Sequence, residues 1–200
     1  MHASFGAEVE RITIYIDQTA SCARTIHELL RVGVMSFDGR AVANFVLDFC
    51  DKQNRPVSNL ALQKILYFCH VGFLMERNEP LVKHAFEAWE FGPVLQYIYR
   101  EFKDFDRASI TRRAKYLDPQ SGEYLTAPYN FDDATTKLLS KLVDIYSRMS
   151  PSELVSLSHI KGSPWDQIWN HAGSTCPGMK ISNEEITKFY KNEKTTGALQ

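Results

Sequence analysis

Residues 58–77, SNLALQKILYFCHVGFLMER, place apolar side chains around most of a helix. Leu62, Ile65, Leu66, Cys69 and Phe73 recur at the three- and four-residue spacing of one helical face, while Leu60, Tyr67, Phe68 and Val71 point elsewhere. A helix that apolar around its girth has to be enclosed by other elements rather than laid on a surface. The pattern therefore predicts a central helix that begins near Ser58 or Asn59, ends at Asn78-Glu-Pro80, and has further helices packed around it.

The flanking sequence supplies them. Val42, Phe45, Val46 and Phe49 form an apolar stripe before the break at Asn54, Pro56 and Ser58. Leu95, Ile98, Tyr99 and Phe102 form another after Gly92-Pro93, with the proline read as the first helical residue. Leu138, Leu142, Ile145 and Met149 form a third, capped by Asp132 or Asp133. Ser150-Pro-Ser-Glu153, Ser163-Pro-Trp-Asp166 and Ser182-Asn-Glu-Glu185 read as capping boxes, each marking a helix start. Between these, residues 85–91, AFEAWEF, alternate weakly as a short strand. Residues 109–127 read as a small hairpin or irregular excursion with Tyr116-Leu117 and Tyr124-Leu125 as its arms. The expected fold is mainly α, a compact multi-helix domain with a small β-strand or hairpin element. Residues 1–36 read as an N-terminal extension with a strand at ITIYI, 12–16, and a short helix over 22–34; residues 37–192 form the helical domain and 193–200 a flexible tail.

Charge and motif spacing exclude several functions. With 23 basic and 24 acidic residues the chain has no global field to attract nucleic acid or anionic lipid. Arg107, Arg112, Arg113 and Lys115 beside Tyr116 form a local basic cluster, read as a solvated loop. No apolar run approaches the roughly 20 residues of a membrane span, and the first residues lack signal-peptide character, so a cytoplasmic location is expected. Cys22, Cys50, Cys69 and Cys176 form no CxxC pair and read as reduced, packed thiols. His159, His171 and Cys176 lack metal-ligand spacing, and no phosphate-binding glycine loop or nucleophile elbow occurs. Cys69 and His70 are neighbours on a helix and point about 100° apart, so they read as a packed thiol beside a rim histidine rather than a catalytic pair. No catalytic residue, metal or cofactor is expected. Aromatic content is the positive signal. The sequence has 12 Phe, 9 Tyr and 3 Trp, and Trp89, Tyr97, Trp165, Trp169 and Tyr190 gather near helix starts and the strand, which suits a protein interface.

The order of several blocks carries a resemblance. GRAVANFVLDFCD at 39–51, VSNLALQKILYF at 57–68, FEAWEFGPVLQYIYRE at 86–101, SELVSLSHIKGSPWD at 152–166 and ISNEEITKFY at 181–190 together resemble the Panacea antitoxin domain family, which includes GepA-type phage-associated and SocA-like proteins. The resemblance implies a non-enzymatic antitoxin that neutralises a cognate toxin by direct contact. It implies varied toxins, small alarmone-synthetase-like enzymes among them. For the adaptor-type members it implies delivery of the toxin to a Clp-type protease. Within its blocks Leu62, Ile65, Leu66 and Phe68 are expected in the core, with Gln63 and Lys64 on the helix's polar edge. Gly92 is expected to permit a sharp strand-to-helix turn, and His159 to satisfy a backbone group beside Gly162. Trp89, Tyr97, Arg100, His159 and Trp165 are the expected protein-binding residues.

Overall fold

The computed structural model describes residues 36–170 and 179–197, with side chains through residue 192. The strand and helix expected within residues 1–35, the terminal residues 198–200, and Cys22, His171 and Cys176 lie outside the described residues.

Side-chain caps set the helix starts. Asp38 accepts from Arg40 N and opens α1, Gly39–Lys52; Ser58 accepts from Ala61 N and opens α2, Asn59–Arg77. Just before the Asp38 cap, Phe37 forms a parallel bridge with Val82. Asn78 closes α2 in the left-handed conformation. Strand β1, Phe86–Trp89, and strand β2, Gly92–Val94, form a tight antiparallel hairpin, followed by α3, Gln96–Glu101, and a 3₁₀ turn, Lys103–Phe105. Strands β3, Lys115–Leu117, and β4, Tyr124–Thr126, pair Tyr116 with Leu125 and Leu117 with Tyr124, so the excursion is a hairpin. Helices α4, Asp133–Tyr146, α5, Pro151–Ser158, and α6, Pro164–Trp169, follow. Strand β5, Lys180–Ile181, joins β1 to give the order β2-β1-β5, and α7 covers Asn183–Gly197. The architecture is mainly α with small β elements, as the sequence predicts.

Helix α2 is the centre. Residues 61–74 are all buried, and the helix packs against α1, α4, α5 and α7. Gln63 and Lys64 depart from expectation, since neither lies on a polar edge: both are enclosed. His70 is likewise buried, not on a rim. The apolar stripe of α4 keeps the predicted Leu142 but is otherwise centred about one residue later. Leu139, Leu142, Val143 and Tyr146 face the core, while Leu138, Ile145 and Met149 are half-buried against its margin.

Proline 93 does not start a helix. It lies in β2 opposite Ala88, and the helix begins at Gln96. Because β2 is an edge strand, the missing N–H of Pro93 removes no ladder bond there. Asn44, buried in α1, holds the base of the β3–β4 hairpin. Its amide donates to the carbonyls of Ala114 and Ala127, at 3.0 and 2.8 Å, and its oxygen accepts from Ala114 N at 2.7 Å.

His70 joins α2 to α7. Its Nε2 lies 2.8 Å from Asn183 Oδ1, and its Nδ1 accepts from Val82 N at 3.4 Å. Burial pushes its pKa down to about 4, so the neutral ring with the proton on Nε2 satisfies both contacts. A histidine whose folded value is depressed gives stability that is complete above its unfolded value near 6.5 and is lost as the pH falls toward 4. Between pH 7 and 4.5 the unfolding free energy should fall by about 2 kcal/mol more in the parent chain than in His70→Gln. Denaturant titrations of the two chains at both pH values measure that difference.

Candidate functional site

The sequence blocks around Gln63-Lys64, Trp89–Leu95 and His159–Trp165 converge on one side of α2. Lys64 is fully buried, and its Nζ donates to Pro93 O at 2.8 Å. Gln63 Oε1 accepts from Leu95 N at 3.0 Å, and its amide donates to Asn59 Oδ1, whose own amide reaches Tyr99 O. Two side chains that looked polar and peripheral therefore hold the β2–α3 junction from inside. Nothing in the spacing announces this, because the partner carbonyl of Lys64 is 29 residues away.

Gly92 explains the tightness of the junction. Its φ is +95°, and a Cβ there would lie 2.5 Å from Ser158 Oγ and 2.9 Å from both Lys64 Cε and Nζ. The glycine is needed in the turn between β1 and β2, not between a strand and a helix. Burial pushes the Lys64 pKa down to about 7. His159 is held below its ordinary value, first by burial and then by the neighbouring Lys64 charge.

The aromatic residues form the outer layer. Trp165 Nε1 donates to Trp89 O at 2.7 Å, tying α6 to the end of β1. The rings of His159 and Trp165 stack with centroids 3.6 Å apart, and Trp165 lies nearly parallel to Trp169 at 5.9 Å. His159 Nε2 is buried without a hydrogen-bond partner, so the expected backbone contact of that nitrogen is absent and the ring's main contact is stacking. Trp89 packs edge-on against Tyr99 at 5.0 Å and donates to Glu87. At α6 the cap is one-sided: Ser163 Oγ accepts from Asp166 N, but Asp166 reaches Gly162 N instead of Ser163 N, which is already bonded to Ile160 O.

Trp89, His159 and Trp165 are thus brought together, with Trp165 mostly enclosed. Tyr97 is not with them. Its hydroxyl accepts from Gly39 N at 2.9 Å, and its ring lies against Arg40 and His84, because residues 97 and 99 face different sides of α3. Arg100 is exposed on α3 beside Tyr99 in sequence. The solvent-facing aromatics that belong to the group are Phe91, Tyr99 and Trp169, exposed by 57%, 37% and 39%. The sequence signals for them are the alternation over residues 85–91 that puts Phe91 on the same side as Trp89, and the four-residue step from Trp165 to Trp169.

Other chemistry finds little support. Arg112 pairs with Asp104, and Arg113 with Asp48 and Asp51, so two of the four cations of the basic cluster are neutralised. Cys50 and Cys69 are buried free thiols whose pKa values burial raises. Among the described residues no cluster of three or more His, Cys, Asp or Glu could hold a metal, and no helix is long and apolar enough to cross a membrane.

A family model described as antitoxin SocA-like, Panacea domain, matches residues 62–166, a stretch that includes Lys64, Trp89, Phe91, Tyr99, His159 and Trp165 and ends before Trp169. The chain is 39% identical over 162 residues to Antitoxin SocA of Caulobacter vibrioides (strain NA1000 / CB15N), covering 80% of this chain and 86% of that relative. No solved structure matches significantly.

Proposed function

Because the chain belongs to the SocA-like, Panacea-domain antitoxin family, we propose that it neutralises a cognate toxin by direct contact through the aromatic face of Trp89, Phe91, Tyr99 and Trp169. The observation that carries this reading is that the matched stretch holds the exposed rings of Phe91 and Tyr99 on a tightly tied frame, with Trp169 stacked beside Trp165 just after its end. Exposed large aromatics cost little side-chain entropy when covered, and in interfaces they supply most of the binding energy. Bound there, the chain would occlude the toxin's working surface; Arg100, exposed next to Tyr99, would lie at the rim.

The test is co-expression with the product of the adjacent gene, followed by titration of the purified pair. Tyr99→Ala with Trp169→Ala should weaken toxin binding by about 30-fold or more and abolish growth rescue, while thermal unfolding stays close to that of the parent chain. Unchanged affinity removes the face from consideration. A second reading, delivery of the toxin to a Clp-type protease, is favoured by a separate exposed apolar group on the β3–β4 hairpin, Leu117, Tyr124 and Leu125. An adaptor needs such a second surface. Toxin degradation by added protease that depends on this chain, and is lost on changing the hairpin while toxin binding persists, selects that reading over occlusion.

A further inference from the structure

We propose that Phe91 is a pre-set knob that inserts into an apolar socket of the toxin, and that Lys64 is the positioning residue that holds it out from the core. This deepens the preceding reading and rests on it. Trp89 and Gly92 are paired residues, so Glu90 and Phe91 alone form the loop between β1 and β2. The positive φ of Gly92 is the conformation a glycine takes in a bulged tight turn. Phe91 is 57% exposed, yet Trp89 and Gly92, which flank the two-residue loop, are held.

Before the loop, Trp89 O is held by Trp165 Nε1 at 2.7 Å, and the Trp89 indole N–H by Glu87 at 2.9 Å. After it, Gly92 rests against Ser158 Oγ and the end of Lys64, Pro93 O is held by Lys64 Nζ at 2.8 Å, and Leu95 N by Gln63 at 3.0 Å. A lysine enclosed at 0% exposure pays a large desolvation penalty, and an apolar side chain of that size would avoid it. What that buried ammonium fixes is the carbonyl two residues after Phe91.

A convex apolar tip requires a concave apolar partner. The occupant is the toxin, because Phe91 lies in the two-residue loop that directly follows Trp89, whose ring packs against Tyr99 on the proposed binding face. A turn fixed before binding loses little freedom on docking, so the burial of Phe91 goes into affinity.

The experiment is calorimetric titration of the full chain with the purified toxin, with amide hydrogen exchange on the same variants. Phe91→Ala should weaken binding by about 30-fold or more without lowering the melting temperature. Lys64→Met should fold, weaken binding by about 10-fold, and speed exchange locally at residues 91–94. If Phe91→Ala binds like the parent while Tyr99→Ala with Trp169→Ala does not, the knob is refuted and the face stands. If none of the three weakens binding, the face itself is refuted. Lys64→Met with parental affinity and parental exchange at 91–94 overturns the positioning role. A parent chain that self-associates through Phe91, with toxin affinity unaffected by Phe91→Ala, assigns the knob to a second copy and overturns the toxin socket.

Discussion

Lys64→Met should make the folded chain about 2 kcal/mol more stable at pH 7, and that advantage should vanish near pH 9. Burial depresses the Lys64 pKa to about 7 from an ordinary 10.5. The unfolded chain therefore binds the proton more tightly across that window, and stability rises with pH through it. At pH 7 the shift corresponds to a penalty of about 4 kcal/mol, which methionine, similar in length and uncharged, does not carry. Against this, the variant leaves Pro93 O without its donor, at a cost of about 2 kcal/mol. By pH 9 the lysine penalty has fallen to about 2 kcal/mol and the two terms cancel. Raised thiol and tyrosine values at Cys50, Cys69, Tyr67 and Tyr146 cost stability above about pH 9 in both chains and drop out of the difference. Denaturant unfolding of both chains at pH 7, 8 and 9 gives the curve. A variant that is less stable at pH 7, with a difference flat in pH, would mean that the lysine is well solvated or well paired in the folded chain.

Gly92→Ala should destabilise the chain by about 3 kcal/mol, whereas Gly122→Ala should cost about 1 kcal/mol. Both glycines have positive φ, +95° and +73°, so both substitutions carry backbone strain. Only at Gly92 does the new methyl group also meet neighbours: Ser158 Oγ at 2.5 Å and the end of Lys64 at 2.9 Å. Ser158 is fixed by its bond to Val155 O, and Lys64 by its bond to Pro93, so neither gives way without losing a buried hydrogen bond. Gly122, at the tip of the β3–β4 hairpin, has nothing within 4 Å. Parallel urea titrations separate the steric contribution from the backbone one. Equal losses in the two variants would mean that the pocket around Gly92 is loose.

Local chemistry was legible in the sequence; long-range polar contacts were not. The serine caps at Ser150, Ser163 and Ser182 and the hairpin pairing of Tyr116 with Leu125 arise from residues a few positions apart. The wrap of apolar residues around α2 also predicted its central place. Lys64 and Gln63 were misplaced because the partners that make their burial tolerable, Pro93 O and Leu95 N, come from a different element. Proline 93 resembles a helix start in the sequence because proline suits that position as well as it suits an edge strand. The grouping of the aromatic residues was legible only in part. Trp89 and Trp165 come together as their blocks suggest, but helix phase sends Tyr97 toward Gly39 and leaves Tyr99 at the face.

Amide hydrogen exchange of this chain, free and in complex with a toxin recovered by the co-expression test, addresses the proposed toxin-binding face most directly. Protection gained on binding should concentrate at residues 87–101 and 159–170, the two segments that carry Trp89, Phe91, Tyr99 and Trp169. Protection confined to the β3–β4 hairpin or to α7, with those two segments exchanging as in the free chain, would contradict it.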